Sequence, residues 1–202
     1  MLATTPLDEV FESRNKVRVL RHLVLYPSRV ATVRSIAREL DMNHATCTNV
    51  LDNLHRAGVV TRQSVGRSLI YSIDPESTLY RDLLFPLFSV EAGLLDKSLQ
   101  ALMAPLKGKV KRAYLFGSVA RREDTNSSDV DVLLIINAKQ SREKVEELAA
   151  RGAQDAYRVL RKGFNVIVYS EKEFGAQLKT KGSLAETVRR EGIPVRLEGT
   201  VG

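Results

Sequence analysis

The stretch Leu115-Phe116-Gly117-Ser118-Val119-Ala120-Arg121-Arg122-Glu123-Asp124-Thr125-Asn126-Ser127-Ser128-Asp129-Val130-Asp131-Val132-Leu133-Leu134-Ile135 decides how the C-terminal half of the chain folds. An apolar β-prone run, Val110 to Phe116, turns at Gly117-Ser118 into a short helix, Val119 to Arg122. A polar loop, Glu123 to Ser128, leads to a second strand, Val130 to Ile136. Gly117 leaves the first strand where a side chain would block an approaching phosphate. Ser118 and the amides of a helix start suit phosphate oxygens. Arg121 and Arg122 lie close enough in sequence to neutralise phosphate charge. Asp129 and Asp131 are two apart on extended chain, so both carboxylates share a face, about 6.6 Å apart. Two oxygen ligands on one face suit Mg²⁺, which keeps its other positions for phosphate and water. Within a strand otherwise made of Val, Leu and Ile, the Asp131 carboxylate needs a partner, or its burial is costly.

This two-part motif resembles the signature of the polymerase-β-like nucleotidyltransferases, in particular the small minimal ones. Their pattern is Gly-Ser, then Ala-Arg-Gly, a short loop, Ser-Asp-x-Asp and an apolar strand. The resemblance spans about residues 105–198, and Glu191-Gly192-Ile193-Pro194-Val195 is similar to the family's closing turn and strand. It implies nucleotide binding at Gly117, Ser118, Arg121, Arg122 and Ser128. It also implies catalytic and metal-binding roles for Asp129 and Asp131, with Mg²⁺ as cofactor and a nucleoside triphosphate as substrate or effector. The metal would stabilise charge as an acceptor hydroxyl attacks the α-phosphorus and pyrophosphate leaves. Two positions depart from the pattern. Arg122 stands where the family has glycine. The family's third carboxylate falls on Phe164-Asn165-Val166-Ile167-Val168, where Asn165 takes the acid's place. An amide oxygen coordinates a metal weakly and cannot accept the acceptor's proton.

Around these strands the pattern predicts a long helix, Ser141 to Leu160, and a third strand, Phe164 to Tyr169. Helices over Glu171 to Lys179 and Leu184 to Arg190 and a last strand, Ile193 to Leu197, complete a mixed sheet.

Upstream, helical spacing appears at Val17, Leu20, Leu23 and Val24, closed by Pro27. Thr32 is placed to cap a second helix, Thr32 to Leu40, whose stripe is Val33, Ile36, Ala37 and Leu40. Asp41-Met42-Asn43 forms a turn. A third helix from His44 to Ala57 turns Cys47, Val50, Leu51 and Leu54 inward and ends at Gly58. Val59 to Gln63 and Ser68 to Ile73 read as a hairpin around Ser64-Val65-Gly66-Arg67. Helix, helix, tight turn, helix and hairpin over about residues 10–75 resemble the winged helix-turn-helix of MarR- and ArsR-type transcription regulators. The most specific part is Ala45 to Val60. A recognition helix presents short polar side chains outward, here His44, Thr46, Thr48, Asn49 and Asn53. Arg62 and Arg67 of the wing are placed to reach phosphates or a minor groove. The resemblance therefore implies double-stranded DNA as a partner, with a protein-contact role as the other reading.

Asp74-Pro75-Glu76-Ser77 marks a boundary. Beyond it Thr78 to Met103 is leucine-rich and helical by pattern, and Pro86 is expected to kink or split it. This segment is expected to pack against the second domain and is also the candidate homodimer contact, with a purely intrachain core as the other reading. The expected organisation is thus α/β (α+β): a winged helix-turn-helix over 8–75, a helical connector over 76–104 and a mixed-sheet nucleotidyltransferase domain over 105–202.

The 202 residues suit two small domains, and 44% hydrophobic with 27% charged residues is a folding composition. No apolar run approaches the roughly 20 residues of a membrane helix, and the start lacks a signal-peptide layout, so the expectation is a cytoplasmic protein without a membrane partner. A single cysteine excludes an internal disulfide, and Cys47 reads as a small buried thiol. His22, His44 and His55 share no metal-ligand spacing. A net charge of +7 favours a polyanionic partner. From Ser13 to Arg38 there are seven basic residues and no acid. The expected function is a DNA-binding regulator whose second domain binds nucleoside triphosphate with Mg²⁺ and transfers a nucleoside monophosphate to a hydroxyl. The alternative is a regulator whose transferase domain is degenerate and senses nucleotide or contacts a protein. An antitoxin-like form of it, acting on a toxin-like partner, comes from the family resemblance alone.

Overall fold

A computed structural model of the chain describes residues 11–27, 31–66, 68–125 and 127–197. It comprises two compact units, residues 1–92 and 93–202. The segment expected as a connector is therefore divided between them.

The first unit opens with α1 (Arg14–Leu25), capped by the Ser13 side chain, which accepts from the Lys16 amide. A two-residue strand β1 (Ala31–Thr32) runs into α2 (Val33–Glu39), where Thr32 and Ser35 form the capping box that the Thr32 cap anticipates. Asn43, in the tight turn, caps α3 (His44–Arg56), accepting from the amides of Ala45 and Thr46. Gly58 follows at φ +72°, a left-handed conformation that favours glycine after a helix. The hairpin strands are β2 (Thr61–Val65) and β3 (Ser68–Ser72), and β1 pairs on the far side of β3 to give the order β1-β3-β2. Val19, Leu20, Leu23 and Val24 of α1 meet Ile36 and Ala37 of α2, the four inward residues of α3, and Tyr71.

The same core continues into Tyr80, Leu84 and Phe88. Leu79–Leu84 is a π-helical turn, followed by α4 (Phe85–Ala92). The expected interruption at Pro86 takes this form: wide helical geometry ends two residues ahead of a proline that has no amide to donate. A second interruption, at Gly93, is not foreseen by the pattern. Arg21 ties α4 to α1 through a two-pronged pair with Glu91 at 2.6 and 2.7 Å, its guanidinium lying over the Phe88 ring.

The second unit begins with α5 (Leu94–Met103) and a 3₁₀ turn, Ala104–Leu106. Next come β4 (Val110–Phe116), α6 (Gly117–Arg121), β5 (Val130–Ile136), α7 (Arg142–Leu160) and β6 (Phe164–Ser170). The chain continues with α8 (Glu171–Gln177), α9 (Leu184–Glu191) and β7 (Ile193–Pro194). β7 is shorter than the five residues expected. The sheet order is β6-β5-β4-β7, with β5 and β6 parallel and the other pairs antiparallel. Alternation along β5 sorts the core into two faces. Val130, Val132, Leu134 and Ile136 pack with α5 and α7. Leu133 and Ile135 pack with Phe116, Phe174 of α8, and Ala185 and Val188 of α9. Asp131 belongs to this second face. Among the described residues no helix is long and apolar enough to cross a membrane.

Candidate functional site

Phe116 and Asp131 are register partners on β4 and β5, and Asp131 and Asn165 are partners on β5 and β6. Three adjacent strands thus bring the Gly117 turn, Asp131 and Asn165 into one row. Gly117 sits at φ +74°, and a Cβ there would stand 2.2 Å from Asp131 Oδ2. Both facts require glycine: the backbone conformation is left-handed, and the space beside the Cα holds the carboxylate. Asn165 Nδ2 donates to Asp131 Oδ1 at 3.0 Å. This amide is the partner that the half-buried Asp131 needs inside an apolar strand.

Asp129 precedes β5 and is exposed. Its carboxylate lies against Gly163, where a Cβ would stand 2.4 Å from Oδ1. The Val130 amide donates to the Gly163 carbonyl at 2.9 Å and fixes the chain between the two aspartates. Among the described residues no group of three His, Cys, Asp or Glu side chains is arranged to hold a metal ion. The pair Asp129 and Asp131 stands without a third acid.

The remaining expected ligands of the nucleotide are spread around the pair. Ser118 is half-buried in the first turn of α6. Ser128 Oγ accepts from the Thr125 amide at 2.9 Å, so its hydroxyl shapes the loop ahead of Asp129. Arg121 is engaged by Glu123 at 2.8 Å and by Glu191 of α9 at 3.0 Å; these hydrogen bonds raise its already high pKa. Arg122 caps α6 at φ +60°, the conformation that suits the family's glycine. It lines a groove of about 470 Å³ with Leu95, Leu99, Leu115 and Val119, on the α5 side of the sheet. Asp131 lies on the other side.

In the first unit, His44 and Asn49 are exposed on α3, while Thr46, Thr48 and Asn53 are half-buried. The Thr48 hydroxyl donates to the His44 carbonyl at 2.9 Å, and Asn53 Oδ1 accepts from Arg56 at 2.6 Å. Arg62 on β2 pairs with Asp52 of α3 at 3.2 Å, and the Tyr71 hydroxyl donates to the same carboxylate at 3.0 Å. This bond ties the hairpin to the helix and leaves Arg62 partly exposed. Arg67 lies outside the described residues.

Lys162 and Gly163 escaped the sequence reading. Their contacts run from the α7–β6 turn to the loop some 35 residues earlier, and no local motif announces them.

No curated protein matches the chain. Among solved structures, a protein from Sulfolobus solfataricus described as a nucleotidyltransferase is 20% identical, with a TM-score of 0.33 over 57% of this chain and 91% of that one. TrmBL2, an archaeal chromatin protein whose structure is described for its mode of DNA binding, is also 20% identical, with a TM-score of 0.30 over 92% of this chain and 72% of that one. Residues 100–189 match the family model described as Polymerase beta, Nucleotidyltransferase. The matched segment contains α6, β5 and β6 with Gly117, Asp129, Asp131 and Asn165, and the second unit therefore carries a domain of nucleotidyltransferase type.

Proposed function

We propose that this chain is a cytoplasmic DNA-binding regulator whose second unit binds a nucleoside triphosphate with Mg²⁺ as an effector. One observation carries the effector reading: the Asn165 amide donates to Asp131 at the position where the family has its third carboxylate. An amide holds Asp131 in place and takes no proton from an incoming hydroxyl.

The donor set fits a single Mg²⁺. Asp129 and Asp131 supply two carboxylates at one end of the sheet, and Asp131 fills the cradle beside Gly117 that a Cβ would occupy. Mg²⁺ accepts one or two carboxylates and completes its shell with water and phosphate oxygens. When bound, the ion supplies positive charge to the triphosphate. The Gly117-Ser118 turn leaves space and backbone donors for phosphate. Arg121, held by Glu123 and Glu191 through Nε and Nη1, keeps further N–H donors for phosphate.

The second reading is transfer of a nucleoside monophosphate to a hydroxyl on a protein or small molecule. The intact Gly117-Ser118 turn and the Asp129 and Asp131 pair favour it. The DNA-binding part of the proposal is supported by the polar outer face of α3, by the β2–β3 hairpin beside it, and by exposed Arg34 and Arg38, both on α2. Homodimer formation belongs to the same proposal. Leu83, Leu87 and Val90, at helical spacing, are each about half exposed and form an apolar stripe.

The deciding experiment incubates the full chain and its Asn165→Asp variant with labelled nucleoside triphosphates, Mg²⁺ and cell extract, alongside thermal unfolding. Nucleotide should protect the wild type only with Mg²⁺ present, and Asp131→Asn should abolish that protection. The wild type should label no acceptor, and Asn165→Asp should create or sharply raise labelling. Labelling by the wild type as fast as by the variant establishes the transferase reading instead. Absence of Mg²⁺-dependent nucleotide binding in both chains removes the nucleotide half of the proposal.

A further inference from the structure

The turn between α7 and β6 reaches back to the loop that delivers Asp129. Lys162 in this turn is mostly buried, with 19% of its side chain exposed. Its ammonium donates to Asp124 Oδ2 at 3.0 Å, to the Thr125 carbonyl at 2.6 Å and to the Ser128 carbonyl at 3.4 Å. An ammonium has three N–H donors, and here they meet three oxygens of one loop. Two of those oxygens are main-chain carbonyls, so the contact fixes backbone directly. Thr125 and Ser128 are themselves joined through the Ser128 hydroxyl.

The neighbours of Lys162 complete the arrangement. Arg161 ends α7 in the left-handed region at φ +58°, its amide donating to the Tyr157 carbonyl. That cap turns the chain so that Lys162 points at the loop. Gly163 then receives the Val130 amide and leaves the space that the Asp129 carboxylate occupies. Asp129 lies ahead of β5 and has no ladder partner in the sheet. Its placement depends on the loop before it and the turn beside it.

We propose that Lys162 is a positioning residue for the metal pair: it latches Asp124, Thr125 and Ser128 so that Asp129 stands beside Asp131, in the space Gly163 leaves. This rests on the reading of Asp129 and Asp131 as ligands of a divalent cation. Without the latch, the cation must order a solvated loop before Asp129 can reach it, and that conformational entropy is subtracted from its affinity. Outer groups that orient metal ligands are typically worth about 10- to 100-fold in affinity.

The test uses Mn²⁺ as the probe, titrated into the full chain with paramagnetic detection, and hydrogen exchange of peptides covering residues 123–129. Lys162→Met keeps the apolar stem and removes the donors. It should weaken Mn²⁺ binding at least ~10-fold and speed exchange in the loop, while β5 peptides stay as protected as in the wild type. Gly163→Ala should weaken Mn²⁺ binding with the loop still protected, because it displaces only the carboxylate. Wild-type Mn²⁺ affinity in Lys162→Met overturns the proposal. If that variant folds poorly, Lys162→Gln, too short to reach all three oxygens, and Asp124→Ala, which removes the side-chain acceptor, each weaken the latch, and unchanged affinity in both overturns it equally. Failure of the wild type to bind Mn²⁺ is a different result: it removes the metal-pair reading and the positioning role with it, whatever the loop exchange shows.

Discussion

Cys47 and Tyr71 are fully buried in the core of the first unit, and both hold their protons more tightly there than in water. Burial pushes the Cys47 thiol up from 9.0 to about 11. Burial, then the hydrogen bond to Asp52, raises the Tyr71 phenol, with Arg62 opposing. For such groups the folded state retains protons that the unfolded state has lost. For Cys47 the stability this contributes is complete below about pH 9 and is lost as pH climbs through 11. The loss is on the order of 3 kcal/mol. Cys47→Val removes the titrating thiol and keeps an apolar side chain of similar size. Urea unfolding should therefore show the wild type losing ground to Cys47→Val between pH 8 and pH 10.5. A constant difference across that range contradicts the prediction. At this scale the residues of the candidate site were legible in the sequence. Gly117, Asp129, Asp131 and the substitution at Asn165 all lie in short-range motifs whose residue types match one chemistry. What Asn165 does was not legible, because its bond to Asp131 depends on the parallel register of β5 and β6. Lys162 and Gly163 were invisible for the same reason: their partners lie across a fold, not along a period.

At the scale of elements, the helices came from apolar spacing and their ends from caps. Thr32, Ser141 and Gly58 terminate helices where their side chains or backbone freedom dictate. The late strand was overextended because Val195 and Leu197 are apolar. Ile193 and Pro194 are in register with β4, and the Val195 amide adds one last bond to the Ala113 carbonyl at 2.9 Å before the chain leaves the ladder. Periodicity also passed over Gly152, in the middle of α7. A Cβ there would stand 2.3 Å from the Leu102 carbonyl oxygen of α5. Glycine in a helix interior is unfavourable by itself, and here it permits backbone contact between two helices that together cover one face of the sheet. Gly152→Ala gains helix propensity of up to ~1 kcal/mol. It also forces α5 and α7 apart, and overpacking of this kind costs roughly 1–3 kcal/mol, more where backbone must move. The clash involves a main-chain oxygen, which cannot rotate away, so the net effect should be destabilising. A lowered urea midpoint in Gly152→Ala checks this. A raised midpoint means the helices have room that their separation does not display.

For the whole molecule, charge and assembly become one measurable quantity. Binding of a duplex releases about 0.9 counterions for each phosphate a protein neutralises, so the slope of log affinity against log salt counts phosphate contacts. Arg62 reaches outward from β2 while held by Asp52, and both side chains remain more than a third exposed. On the proposed reading, such a tethered guanidinium would meet a phosphate without ordering a free side chain, and its exposed pair with Asp52 contributes little that binding must sacrifice. Removing it should reduce the salt slope by about one unit per protomer on the DNA. Winged-helix regulators commonly read two half-sites, one helical turn apart, as dimers. If two copies bind through the stripe of Leu83, Leu87 and Val90, one substitution removes two contacts and the slope falls by about two. On the proposed reading, Asn49→Ala should leave the slope unchanged and weaken discrimination between sequences, since an exposed amide on α3 would meet base edges and not phosphates. The measurement is a titration of a fluorescent duplex with the full chain between 50 and 200 mM salt, for wild type, Arg62→Ala, Asn49→Ala and Leu87→Glu. A change near two for Arg62→Ala that shrinks to near one in the Leu87→Glu background ties DNA binding to dimer formation through α4. A change near one in both backgrounds makes the bound species a monomer. Absence of any salt-dependent binding by the wild type removes the DNA partner altogether.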